Sequence, residues 1–194
     1  MARLLPEGTA PPPSIPPAVF DAAQRRIRAL ERLDMRALAA ELGVGRATLY
    51  RWVGSRDALL GEVFWWRARH SHARSLRVSA ELIGRDRILT AYSGFLTAAQ
   101  QDPSLHRFLA AEPEVAMRVL TSRAARVQAG SLAVFEALLA EEADAGRLRL
   151  PVERSALAYV IVRIGESFLY ADVIAGRDPD VDQAVRVVGQ LLGA

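Results

Sequence analysis

The sequence has no cysteine and no lysine, only three histidines, and no apolar run that approaches 18 residues without a charge. The first absence excludes a disulfide framework, a thiolate zinc site, an iron–sulfur cluster and a cysteine nucleophile. His70, His72 and His106 leave little for an imidazole metal site, and His70 and His72 lie two apart on one predicted helix, so their side chains diverge. No segment is predicted to span a membrane. The N-terminus lacks the charged-then-apolar layout of a secretory signal, so a cytoplasmic protein is the expectation. No Gly-rich phosphate loop, G-x-S-x-G or H-E-x-x-H occurs. The reading therefore assigns no catalytic residue, no cofactor and no metal.

What is present points to a folded, charge-divided chain. Its 194 residues are 51% apolar, too much for a disordered polymer and enough for one sizeable core or two small ones. Residues 1–80 hold 13 Arg against 7 acids, and residues 81–194 hold 12 Arg against 15 acids. A net of +6 followed by a net of −3 gives the first part alone the charge suited to an anionic partner.

Six of the ten prolines fall within residues 1–17, a composition that favours polyproline II, and this stretch is read as a flexible arm carrying Arg3. From Ala18 onward apolar residues recur at helical spacing and no strand alternation appears, which predicts an all-α fold. A first helix covers about 18–30, with Arg25, Arg26 and Arg28 on its solvated side. Asp34 is a good N-cap for a short helix over 35–42, and Gly43 can end it in left-handed geometry. A third short helix covers 46–53, stopped by Gly54, and Ser55 caps a longer one running toward Ala73. Further helices are predicted over 85–101 and 104–110, from Pro113 to Ala145 with an interruption near Gly130, over 153–175 and over 179–192.

The informative stretch runs from Met35 to Leu60. Two short helices joined by a glycine turn place Leu38, Leu42, Val44, Leu49 and Val53 where a helix-turn-helix needs its small core, with Ala39 where the helices approach. Arg46, Ala47, Thr48, Tyr50 and Arg51 then face outward. They supply guanidinium groups for base edges or phosphates, hydroxyls for phosphates and a methyl for thymine. Trp52 reads as a brace of the domain. Arg56 at a helix start sits where backbone amides also favour an anion.

Gly43-Val44, Thr48-Leu49-Tyr50, Trp52 and Ser55-Arg-Asp-Ala-Leu-Leu60 together resemble the DNA-binding domain of the tetracycline-repressor (TetR) family over about residues 18–66. The resemblance implies a dimeric, ligand-responsive transcription factor, usually a repressor. Its helix from Arg46 would enter the major groove, and Tyr50, Ser55 and Arg56 would hold phosphates. Two departures stand out: a shorter link between the first two helices, and Gly45 where the family commonly has a serine. Glycine caps a helix only a few tenths of a kcal/mol less well, but it removes one hydroxyl that could meet a phosphate.

Residues 79–194 are read as a helical ligand-binding and dimerisation domain, joined through a connecting helix that ends near residue 78. Helix 157–174 is apolar on nearly every side, with Val160, Ile161, Ile164, Phe168 and Ala171 on one flank, as a helix buried on both sides should be. The TetR resemblance implies that the last two helices of each subunit form a four-helix dimer interface. Val181, Ala184, Val185, Val188, Leu191 and Leu192 give the last helix a matching stripe. Tyr159, Arg163, Glu166 and Tyr170 share one face of helix 157–174, where Arg163 and Glu166 either satisfy each other as an i,i+3 pair or line a cavity and bind a small molecule. Tyr92, Phe95, Leu96, Met117 and Phe135 are candidate apolar walls, with Arg118 and Gln128 as candidate polar anchors.

The segments 163–172 and 174–179 also resemble the C-terminal domain of the quorum-sensing-degradation regulators within the TetR family. That likeness implies an N-acyl homoserine lactone, a γ-butyrolactone or a fatty-acyl compound as effector. The expected protein is thus a homodimeric repressor on a palindromic double-stranded DNA operator, released by a small amphiphile. A ligand-independent DNA-binding regulator is the alternative, and neither reading places it at a membrane.

Overall fold

Proline is tolerated at the first turn of a helix because no intrahelical bond needs its missing N–H. Helix α1 (Pro17–Arg28) starts on such a residue and buries Val19, Phe20, Ala22, Ala23 and Ile27 on one side. Its opposite face carries Arg25 and Arg26, which bond Glu41 at 2.9 and 2.7 Å and so tie α1 to α2 (Met35–Glu41). The Asp34 carboxylate caps α2 by accepting the amides of Arg36 and Ala37, and those two bonds hold it below the usual carboxylate range. Gly43 ends the helix at φ 66°, a conformation open to glycine at no steric cost. Leu30, without that freedom, holds φ 60° just after α1 and ends it two residues before the predicted limit.

The structure, a computed structural model, describes residues 15–122 and 125–193, so the proline-rich arm read from the sequence lies outside it except for its last three residues. Every regular element among the described residues is a helix, and the fold is all-α. After α2 come α3 (Arg46–Val53), α4 (Arg56–Val78), α5 (Gly84–Gln100), α6 (Pro103–Ala111), α7 (Pro113–Thr121), α8 (Arg126–Asp144), α9 (Arg154–Leu169), α10 (Ala171–Ala175) and α11 (Val181–Leu191).

Two elements differ from the sequence expectation. Gly130 does not interrupt α8; the break falls at residues 122–125, before the helix begins. A mid-helix glycine costs about 1 kcal/mol. Burial of Gln128, Ser131, Val134 and Phe135 around it outweighs that. The helix predicted over 153–175 is divided at Tyr170, whose φ and ψ of −106° and 24° are not helical.

The described chain forms two compact units. One comprises 15–67 and 103–127, so α6 and α7 cluster with α1–α3 and the start of α4. In it α2 and α3 pack through Leu38, Ala39, Leu49 and Val53, and Phe64 stacks on Phe108 with centroids 5.0 Å apart. The other comprises 68–102 and 128–193, where α11 packs on α5 and α9. The stripe Val181, Ala184, Val188 and Leu192, expected to serve a dimer surface, is buried within the subunit. The chain passes between the units inside α4, after α5 and inside α8.

Candidate nucleic-acid interface and effector site

At 3.6 residues per turn, Arg46, Tyr50, Ala47 and Arg51 fall within about 140° of the circumference of α3. All four are exposed, while Leu49 and Val53 on the other side are buried in the helix pair. Thr48 and Trp52 are half-buried at the two edges of that face. Neither Arg46 nor Arg51 forms an ion pair with the described residues. Ser55 caps α4 by accepting the Ala58 amide at 3.0 Å, which leaves its O–H free to donate. The outward face thus combines two mobile cations, a phenol and a methyl on a helix fixed from behind.

Arg56 differs. Its Nε donates to the Leu33 carbonyl at 2.7 Å and its Nη2 to Glu112 at 2.5 Å, so its guanidinium is already committed. Met117 and Arg118 also fall elsewhere than expected. They lie on α7 in the N-terminal unit, and Arg118 pairs with Asp57 at 2.8 Å, apart from the other candidate effector residues.

The remaining candidates converge in the second unit. Tyr92 meets Phe135 edge to face at 5.6 Å, and its hydroxyl donates to the Ile161 carbonyl at 3.1 Å. Leu96 is buried one turn along α5, and Phe95 is half-buried. Gln128 is buried on α8. Arg163 bonds Glu166 at 2.5 Å. Burial pushes the Glu166 carboxyl up to about 7, against the pull of Arg163. Burial, with the Glu166 charge second, also pushes the Tyr92 and Tyr170 phenols up. Those charge couplings put both tyrosines within reach of Glu166.

His72 and Ser131 belong to this cluster, and sequence reasoning missed them. The His72 ring stacks on Phe95 with centroids 3.7 Å apart, meets Phe135 at 5.6 Å, and its Nε2 lies 3.1 Å from Ser131 Oγ. Burial lowers its pKa to about 3, so the imidazole is neutral at physiological pH. The available signal was a polar stripe on α4, because His72, Ser75 and Ser79 recur at i, i+3 and i+7 and are all buried.

These two shifts act on stability with opposite sign. Unfolded His72 takes up its proton near pH 6.5 and the folded residue does not, so His72 makes stability fall as pH drops below 6.5. Glu166 binds its proton near 7 when folded but only near 4.5 when unfolded, so it makes stability rise as pH drops below 7. Between pH 6.5 and 5 each contribution is about 2 kcal/mol, from 1.36 kcal/mol per pH unit, and the two cancel. Glu166→Gln is expected to lose about 2 kcal/mol relative to the parent chain over that window, and His72→Phe to gain as much. Urea unfolding at both pH values measures the two slopes; parallel slopes would refute the assignment.

A two-helix DNA-reading motif on a fully helical frame, followed by a helical unit with a buried polar–aromatic cluster, defines a helix-turn-helix transcriptional regulator. The chain belongs to the TetR family: residues 83–193 match the tetracyclin repressor-like C-terminal domain. It is similar to the R. erythropolis transcriptional repressor QsdR of that family, at 29% identity over 91% of this chain and 93% of that one, with a TM-score of 0.82. Two further structures share the fold. AlkX from Dietzia sp. strain DQ12-45-1b, implicated in n-alkane biodegradation, is 22% identical over 96% of this chain and 97% of that one, with a TM-score of 0.63. FadR from Bacillus subtilis, solved with stearoyl-CoA, is 16% identical over 90% and 96%, with a TM-score of 0.59. No curated protein matches the chain.

Proposed function

We propose that this TetR-family regulator is a homodimeric repressor that reads a palindromic operator through α3 of each copy. The observation that carries this reading is the exposed face of Arg46, Ala47, Tyr50 and Arg51 on a helix whose other side is buried. Thr48 and Ser55 add hydroxyls at its edge for phosphates. The likeness to the repressor QsdR supports repression. Sequence selection from a random duplex pool at near-physiological salt tests it, since phosphate contacts alone would retain any DNA at low ionic strength. Enrichment of an inverted repeat is the expected result; retention without enrichment would refute sequence reading.

The dimer surface proposed is the outer side of α9 and α10. Tyr159 is 52% and Ile174 55% exposed there, with Val160 beside them. Tyr159→Asp combined with Ile174→Asp is expected to convert dimer to monomer in light scattering and to abolish operator binding at nanomolar protein. A dimer that persists would place the interface elsewhere.

The effector site proposed is the cluster of Tyr92, Phe95, Leu96, Phe135, Gln128, Glu166 and Tyr170, extended by His72 and Ser131. Neutral donors and acceptors set among aromatic rings suit an uncharged amphiphile, such as an N-acyl homoserine lactone, a γ-butyrolactone or another fatty-acyl compound. Such a ligand releases the operator only through a difference in affinity between two dimer geometries. The close ring contacts of His72 with Phe95 favour the second reading, a ligand-independent regulator. A thermal shift with acyl lactones that disappears in Gln128→Leu separates the two, because the ligand-independent regulator shows no shift at all.

A further inference from the structure

Arg56 opens α4 directly after α3, where the sequence pattern places a phosphate contact. Its side chain is only 19% exposed and its donors are already engaged. Nε holds the Leu33 carbonyl, one residue before the Asp34 cap of α2, across 23 positions of chain. That bond closes the two ends of the segment containing both α2 and α3. Glu112 backs the guanidinium from the α6–α7 junction. It does not cap α7, its side chain is 12% exposed, and its second oxygen takes Arg32 at 3.3 Å. Burial works against its ionisation, yet the bonds from Arg56 and Arg32 outweigh burial and hold the carboxyl below the usual range. The pair forms one wall of a crevice whose other lining includes Leu33, Leu60, Phe64 and Phe108. Low-dielectric surroundings strengthen the attraction there. The neighbouring pairs Arg118–Asp57 and Arg126–Glu62 each leave the arginine more than half exposed and count for little.

We propose that Glu112 is a positioning residue for operator binding: it holds Arg56 on Leu33, fixing the ends of the α2–α3 segment, and Arg56 is not a phosphate ligand. This rests on the operator reading above. A phosphate that captured Arg56 would strip Leu33 of its donor and leave Glu112 to Arg32 alone. The DNA-facing helix pair would lose its closure at the moment it must be rigid.

The test uses the full chain and the selected operator. Affinity is measured across a salt series for the parent, E112Q, R56Q and the double variant, at a temperature where circular dichroism shows each folded. E112Q and R56Q are each expected to weaken binding about tenfold, within the usual range of coupling between sites. The double variant should be no weaker than the worse single, because both remove one interaction. All slopes of log K against log salt should equal the parent's, since no phosphate contact is lost. An E112Q chain that binds like the parent overturns the proposal, as does an R56Q slope reduced by about 0.9, the signature of one lost phosphate contact. Should the variants not fold, the Arg56 Nε–H resonance of the parent decides. It should be protected from water exchange and unmoved by operator, and its loss or shift on adding DNA overturns the proposal. A parent chain that selects no sequence removes the operator reading itself, a failure distinct from normal selection with an unaffected E112Q.

Discussion

Replacing Glu142 with alanine is expected to destabilise the C-terminal unit by about 3–5 kcal/mol, the cost of removing one partner from a buried ionic network. Glu142 is 0% exposed and Arg87, which bonds it, is 5% exposed. The same carboxylate accepts Arg147 at 2.7 and 3.0 Å and the Gly84 amide at 2.7 Å. Glu141 retains a two-pronged contact with Arg87 at 2.9 and 3.2 Å, which keeps the loss from being larger. The site cannot relax around the change. Gly84 holds φ 58°, and a Cβ there would lie 2.6 Å from the Arg147 carbonyl, so the α5 start and the turn after α8 are fixed backbone to backbone. Against a typical total of 5–15 kcal/mol this is a large fraction. At 2–4 °C per kcal/mol for a chain of this size, the melting temperature should fall by roughly 10 °C. The pH dependence carries the same signature. The Arg147 bond first, then the Gly84 amide and Arg87, hold the Glu142 carboxyl down to about 2 against an ordinary 4.5. Its contribution is complete above pH 4.5 and is lost as pH falls toward 2. Glu142→Ala should therefore remove part of the acid-induced loss of stability below pH 4.5, measured by thermal melts from pH 3 to 7.

What the sequence reveals divides by distance along the chain. Asp34 and Gly43 announce the limits of α2 because capping is decided by residues two or three positions away. The outward set of α3 is readable from period alone, since Leu49 and Val53 fix which side is inside. Tyr92, Leu96, Gln128 and Phe135 could be named as wall residues because each interrupts or thickens a helical apolar stripe. His72 could not, because its partners Phe95 and Ser131 lie 23 and 59 positions away. Arg56 and Glu112 are 56 apart, and Arg87 and Glu142 are 55 apart. Nothing local distinguishes those charges from solvated ones until tertiary packing removes water from them. Arg118 fails for the same reason: its neighbour Met117 suggested a pocket, whereas Asp57, 61 positions earlier, determines where its charge rests.

In the proposed complex, Arg46→Ala combined with Arg51→Ala should produce the largest functional loss. A well-formed arginine contact to a base edge contributes about 1–3 kcal/mol of discrimination. Removing two per copy should weaken operator binding by roughly 30-fold to 10⁴-fold and erase the enriched sequence from a repeated selection. Both side chains are exposed, and neither supports the core formed by Leu49 and Val53. The melting temperature should thus move by no more than about 1–2 °C, as surface substitutions usually cost within 0.5 kcal/mol. Salt separates the roles of the two residues. An arginine that binds phosphate carries about 0.9 of the slope of log K against log salt, whereas one that reads only a base edge changes affinity with the phosphate count intact. Measured singly, the variant that loses sequence preference at an unchanged slope identifies the base reader, and the one that loses slope at an unchanged preference identifies the clamp. If both variants kept affinity and preference, α3 would not be the DNA-reading helix. The charge excess of residues 1–80 would then have to act through arginines outside it, of which Arg25 and Arg26 are already paired with Glu41.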